Sequence, residues 1–216
     1  MAVRNVFQAP NEVLNQPAKE VTLREPGLRE LLIDMEQTLL LHENPPGVGL
    51  AAPQVGVSLQ IFVARVGFSN IPKDKLPNKV EVFINPQILK VSGDSFKDKE
   101  ERKTAEGCLS LKDIYGDVSR GMKVKIKYQT VNLDKLRIQK SGVPSTTNIY
   151  GASRIQNLIE EREKIYTGLE ARIMQHEVDH LQGTLFTARV LEQQGRLYHV
   201  ERDEKGREHF VPVEIE

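Results

Sequence analysis

The chain has 216 residues, 30 lysines and arginines against 30 aspartates and glutamates, and one cysteine. One hydrophobic core suffices at this length, so a single domain over 1–216 is expected. Balanced charge argues against nucleic acid as a substrate and against a membrane partner, while a lone thiol makes no internal disulfide and suits a reducing compartment.

No apolar run approaches the ~18 residues of a membrane span, and Met1-Ala2-Val3-Arg4-Asn5 lacks the charged-then-apolar layout of a secretory signal. A cytoplasmic protein is expected, organellar only if a transit segment has been trimmed.

Residues 1–25 scatter Val13, Leu14 and Val21 among Pro10 and Pro17, which suggests an extended arm wrapping the body. Pro26 suits a first helical position, and Leu28, Leu31, Leu32, Met35 and Leu39 recur at three- and four-residue steps, predicting an amphipathic helix to about His42. Asn44-Pro45-Pro46-Gly47 ends it. Gly47-Val48-Gly49-Leu50-Ala51-Ala52-Pro53-Gln54 is too rich in small residues for a packing strand and reads as a substrate-facing edge where backbone can be approached closely. It lacks the Gly-Lys-Ser/Thr ending of a phosphate-cradling loop.

Leu59–Val66 and Val80–Val91 read as strands, the second bent or at an edge where Asn85-Pro86 interrupts it. Lys97 to Lys103 alternates in sign, as a solvated turn does. In Glu106-Gly107-Cys108-Leu109-Ser110 the glycine permits a tight backbone beside the thiol. Lys123 to Tyr128 alternates lysine with apolar residues, predicting a half-buried strand. The connection 132–166 far exceeds the usual ~2–6 residues and needs structure of its own. There Ile155, Leu158, Ile159, Arg162 and Ile165 fit a short amphipathic helix.

Thr167 and Glu170 are spaced as a capping box, and Gly183 as a left-handed stop, bounding a helix of roughly fifteen residues. Leu169, Ile173, His176 and His180 form one stripe. Ala171, Met174, Val178 and Leu181 form another nearly opposite, leaving a narrow polar edge of Arg172, Gln175, Asp179 and Gln182. A helix apolar on two sides is a core helix. Leu197–Val200 and Phe210–Val213 flank Asp203-Glu204-Lys205-Gly206, predicting a terminal hairpin. His42, His199 and His209 stand alone in polar surroundings and read as surface residues.

The chemistry concentrates in Gln175-His176-Glu177-Val178-Asp179-His180. On a helix His176 and His180 lie about 40° apart around the axis, one turn above one another, close enough to grip one ion. Glu177 sits on the edge of the same face, where a carboxylate can handle the proton of an activated water. Two histidines satisfied in a core are the plain alternative, but a buried Glu177 would then be costly without a cation or partner. Cys108 is the third ligand to test. Two imidazoles and a thiolate leave a fourth position open, as in a catalytic site. The Gln54 amide and the N–H beside Cys108 are candidate donors to an oxyanion.

Three segments, Gly47-Val48-Gly49-Leu50-Ala51-Ala52-Pro53-Gln54, Glu106-Gly107-Cys108-Leu109-Ser110 and Gln175-His176-Glu177-Val178-Asp179-His180, resemble the three motifs of the peptide deformylases, in the same order. The resemblance covers most of residues 13–187, with weaker matches at Asn85-Pro86 and Val118-Ser119-Arg120. It implies an α+β fold, antiparallel β-sheets surrounding a central helix that carries His-Glu-x-x-His. It implies removal of the formyl group from N-terminal formylmethionine of nascent peptides, with release of formate. By the same resemblance Cys108, His176 and His180 would hold one divalent metal ion, Glu177 would be the general acid/base, and Gln54 with the Leu109 amide would bind the oxyanion. Val48, Gly49 and Gly107 would pair with the peptide backbone, and Val48, Leu169, Ile173 and the side of His176 would form the methionine pocket. The family implies iron(II), with zinc, nickel or cobalt able to occupy the site, whereas the donor set alone favours zinc.

Lys112 stands where many relatives have proline. The terminal hairpin differs from relatives that end in a helix, so transient ribosome contact through such a helix is not assumed. Two other readings are a zinc endopeptidase using Glu192 or Glu201 as third ligand, which Cys108 counts against, and a peptide-binding relative without activity.

Overall fold

The computed structural model describes residues 2–43, 46–68, 75–95, 105–138, 155–204 and 206–214. Among them are two antiparallel sheets. The larger consists of β1 (Gly49–Ala51), β2 (Ile61–Arg65), β3 (Val80–Ser95), β6 (Gly121–Val131) and β7 (Ile159–Thr167), in that spatial order. The smaller runs β4 (Ala105–Cys108), β5 (Leu111–Asp117), β8 (Leu197–Arg202) and β9 (Glu208–Pro212). The helices are α1 (Leu28–Leu41), α2 (Leu133–Ile138), α3 (Leu169–Leu181) and α4 (Phe186–Glu192). This is the expected α+β class.

Side-chain alternation along β2 divides the core. Ile61 and Val63 point to one face of the large sheet, where they meet Leu31, Leu32, Met35 and Leu39 of α1. Phe62 and Ala64 point to the other, where they join Ala171, Met174 and Val178 of α3. Phe62 stacks on Phe83 with centroids 4.3 Å apart. Helix α3, which carries the paired histidines, is thereby seated on a rigid sheet.

Several expectations are corrected. Pro26 lies outside α1: Gly27, at φ 74°, caps the helix, because Glu25-Pro26-Gly27 turns the chain before the first helical residue. Gly49–Ala51 is a packed edge strand after all, with Leu50 and Ala51 fully buried. Strand β3 does bend at Asn85-Pro86, as expected, by a bulge that shifts its register to β6 between Ile84 and Gln87. Asn85 takes φ 49°, and its side-chain amide exchanges two hydrogen bonds with the Val21 backbone, which fastens the N-terminal arm. Further along the arm, the Ala18 N–H donates to the Leu181 carbonyl, and Lys19 bridges Leu59.

The helix proposed through Ile159, Arg162 and Ile165 is instead strand β7, paired with β6 from Lys123↔Thr167 to Val131↔Ile159. Glu161 and Glu163 meet Lys127 and Lys125 across the ladder, cross-strand charge pairing that a helix would forfeit. The expected capping box is absent. Thr167 ends β7, and the α3 N-cap is Gly168, which takes φ 60° at the corner. The Glu170 carboxylate accepts from the Gly67 and Phe68 amides at 2.6 and 3.2 Å. Gly183, at φ 71°, follows the helix end as expected, and a Cβ there would strike the backbone of Asn15 and Gln16.

Strand β5 and helix α4 were not foreseen. Strands β8 and β9 pair antiparallel across Asp203–Gly206. The charged run Lys97 to Lys103 and most of the 132–166 connection, residues 139–154, lie outside the described residues.

Candidate active site

Helix α3 presents His176 and His180 on successive turns, ring centroids 4.9 Å apart. Strand β4 ends at Cys108, whose Sγ lies 3.1 Å from His180 Nε2. One donor atom from each of Cys108, His176 and His180 falls within 4.8 Å of the others, and no other such cluster of histidine, cysteine or carboxylate groups occurs among the described residues. The three expected ligands therefore converge from two sheet-anchored elements. Burial alone would raise the Cys108 thiol, but the adjacent His180 and His176 outweigh it and hold the thiol down at about 5, which favours the thiolate.

The orientation of His176 is set by a buried carboxylate. Its Nδ1 lies 3.1 Å from Glu106 Oε2, which turns Nε2 toward Cys108 and His180. Glu106, one strand residue from Gly107, also takes two 2.9 Å bonds from Arg120. Burial opposes its charge, but His176 and Arg120 prevail and bring the carboxyl to about 2. Arg120 reaches on to Asp179 at 2.6 Å, and Asp179 accepts two bonds from Arg189 of α4, at 2.7 and 3.1 Å. The polar edge of α3 is thus buried, except at Gln182, which is exposed. Arg172 bonds the Val118 carbonyl, and Gln175 exchanges bonds with the Gly121 backbone. Each of Arg172, Gln175 and Asp179 is less than a tenth exposed.

Beside the donor cluster opens a cleft of about 230 Å³, lined by Val48, Gly49, Gln54, Gly107, Cys108, Leu109, Leu169, Ile173, His176 and Glu177 among others. Every expected substrate-facing and catalytic residue lies on its wall. Glu177 is 3% exposed, and its Oε2 has no hydrogen-bond partner. Burial raises its carboxyl to about 7 against the opposing pull of His176 and His180. Gln54 is fixed at both ends of its amide. Oε1 accepts from the Ala51 N–H at 2.8 Å, so Nε2 points at Ser110 Oγ, 3.2 Å away, and at Cys108 Sγ, 3.4 Å away. Glu192 and Glu201, the third ligands an endopeptidase would need, are exposed, and Glu192 pairs with Arg189 at 2.9 Å. His199 and His209 are exposed and His42 half-buried, all apart from the cluster.

Sequence reasoning assigned no role to Glu106, Arg120, Asp179 or Arg189, and missed Tyr115, which lines the cleft. The one available signal was the acid directly preceding Gly107 in the thiol segment. Its partners lie 14 and 70 residues away, out of reach of any local pattern.

The chain matches the family model described as polypeptide deformylase over residues 3–148 and 153–196. It is 37% identical over 190 residues to peptide deformylase 1 of Bacillus anthracis, covering 88% of this chain and 94% of that protein. To peptide deformylase 1 of Bacillus subtilis it is 35% identical, covering 88% and 91%. Among solved structures, a ligand-bound class I type b peptide deformylase from Acinetobacter baumannii superposes with a TM-score of 0.63 at 31% identity, covering 88% of this chain and 99% of the other. The Synechococcus elongatus peptide deformylase in complex with actinonin gives 0.62 at 30% identity, covering 86% and 78%.

Proposed function

Because the chain belongs to the polypeptide deformylase family, we infer that it is a metal-dependent hydrolase that removes the N-formyl group from N-terminal formylmethionine of newly made polypeptides. Water adds across the formyl amide: its hydroxyl goes to the formyl carbon, its proton to the departing amine, and formate leaves. The observation that carries the reading is the convergence of a thiolate, two imidazoles and a partnerless buried carboxylate on one cleft.

Cys108, His176 and His180 would hold a divalent ion, which they fit in number, softness and spacing. When bound, the ion supplies Lewis-acid activation of water and of the formyl carbonyl. Glu177 takes a proton from the water and returns it to the amine nitrogen. The Gln54 Nε2 and the Leu109 N–H receive the developing negative oxygen. Leu169, Ile173 and Val48 enclose the methionine side chain, and the backbones of Val48, Gly49 and Gly107 pair with the peptide as an added strand.

The working metal in this reading is iron(II). Metal-free protein loaded with iron(II), nickel or zinc under argon should release formate fastest with iron, and that form should lose activity in air as iron and thiolate oxidise. Equal activity in all three forms, stable in air, would refute the iron assignment. No described helix is long and apolar enough to cross a membrane, and the Bacillus relatives named above are bacterial. A cytoplasmic enzyme meeting nascent chains, and so transiently the ribosome, is the corresponding setting. The deciding assay compares formate release from a formyl-Met peptide with cleavage of the unformylated peptide. Cleavage without formate release would mean an endopeptidase, and neither product an inactive binding relative.

A further inference from the structure

The small sheet carries a row of aromatic side chains that ends in the cleft. Gly107, Tyr115 and Tyr198 are successive cross-strand partners, so their side-chain positions share one face. Phe210 pairs with Val200, two residues beyond Tyr198, and falls on the same face. The Tyr115 ring lies over Gly107 so closely that a Cβ there would be 2.7 Å from its Cε1. Phe210 backs the ring edge-on, centroids 5.2 Å apart, and Tyr198 flanks Phe210 at 6.2 Å. Arg202 ties the hairpin to β5 by reaching Glu208 at 2.9 Å and Asp113 at 3.5 Å. The family-model match ends at residue 196, so β8 and β9 lie beyond it.

We propose that the β8–β9 hairpin is a specificity element, in which Phe210 positions Tyr115 to bind an apolar side chain of the peptide residue that directly follows the methionine. The inference rests on the deformylase reading above. Its geometry comes from strand alternation. On β4, Glu106 turns inward to α3, and the next position, Gly107, faces Tyr115. A peptide lying as a strand beside β4, with its methionine turned inward toward Leu169 and Ile173 of α3, turns its next side chain outward, to the face that Tyr115 occupies. The glycine leaves room for the ring there.

The test measures kcat and KM for formate release by metal-loaded protein on peptides formyl-Met-X-Ser, with X as Gly, Ser, Leu or Phe, and on formyl-Met-Gly-X as a positional control. Phe210→Ala should raise KM about 3- to 10-fold for X as Leu or Phe directly after methionine, the range an aromatic pair contributes. kcat, and both constants for formyl-Met-Gly-Ser, should stay unchanged. In a Tyr115→Ala background the same substitution should have no effect, since Phe210 acts through that ring. Phe210→Leu, which keeps the hairpin packed, serves if Phe210→Ala does not fold, and should show the same selective loss in smaller measure. A uniform change across all peptides, an effect at the control position instead, or no change would overturn the inference while leaving the deformylase reading intact. Absence of formate release by the unsubstituted protein would overturn both.

Discussion

Gly49 of β1 stands directly against Glu177 of α3: a Cβ on Gly49 would lie 2.1 Å from Glu177 Oε1 and 2.6 Å from its carboxyl carbon. The edge strand and the motif helix thus meet at the group assigned the proton transfers, where a Cβ has no room.

Gly49→Ala should therefore displace the Glu177 carboxylate while leaving the metal ligands in place. The expected result is a fall in kcat of about 10²-fold, the scale associated with a misplacement of about 1 Å, with metal content unchanged. Turnover within a few-fold of wild type would show that Glu177 tolerates displacement and that the base lies elsewhere.

Glu106 orients His176 and neutralises Arg120, so Glu106→Gln should weaken metal binding by about 10- to 100-fold and lower the unfolding free energy by about 3–5 kcal/mol, the cost of breaking a buried ion pair. Competition with a chelator and urea unfolding of the metal-free protein measure the two separately. Unaltered chelator competition would mean that the Glu106 contact does not hold the imidazole.

Gln54→Leu keeps the volume and removes the donor that Ala51 fixes toward the thiol. Loss of one oxyanion donor corresponds to a drop in kcat of about 10²–10³-fold. If KM alone changes, Gln54 binds substrate and does not stabilise the oxyanion.

Glu81 of β3 offers a pH-dependent prediction far from the metal ligands. Its carboxylate accepts from the Tyr128 and Tyr166 hydroxyls, Lys164 and Arg162, at 2.8 to 3.1 Å. Burial raises its pKa, but Lys164 and the tyrosines outweigh this and leave it below the ordinary 4.5. A carboxyl depressed on folding contributes stability that is complete above the unfolded value and is lost as pH falls through the folded one. Glu81→Gln should cost about 1–3 kcal/mol at pH 7, and the gap from wild type should narrow in acid. A gap that is constant down to pH 3 in urea unfolding would show that the contribution is not ionic.

What the sequence determined was local or chemically singular. The four-residue spacing of His176 and His180 is a property of one helix, because 3.6 residues per turn stacks them whatever surrounds it. A single thiol leaves no choice of cysteine, and the motif resemblance ordered the cleft segments before any contact was visible. The α1 stripe and the β6 alternation were legible for the same reason: each periodicity reports one buried face. Tertiary structure decided what depends on distant partners. Ile159, Arg162 and Ile165 fit a helical spacing, yet they form β7 because β6 offers a continuous backbone ladder from Lys123↔Thr167 to Val131↔Ile159, which no local pattern shows. Arg172, Gln175 and Asp179 read only as a narrow polar edge, and they are buried because the β5–β6 connection, β6 and α4 bring groups to α3 that bond them. Tyr115 reaches the cleft from its place opposite Gly107 on β5, with Phe210 of β9 against its ring. Polar and aromatic side chains take their place from whichever partner satisfies them, and here those partners lie on other strands and helices, which only the folded chain brings within reach.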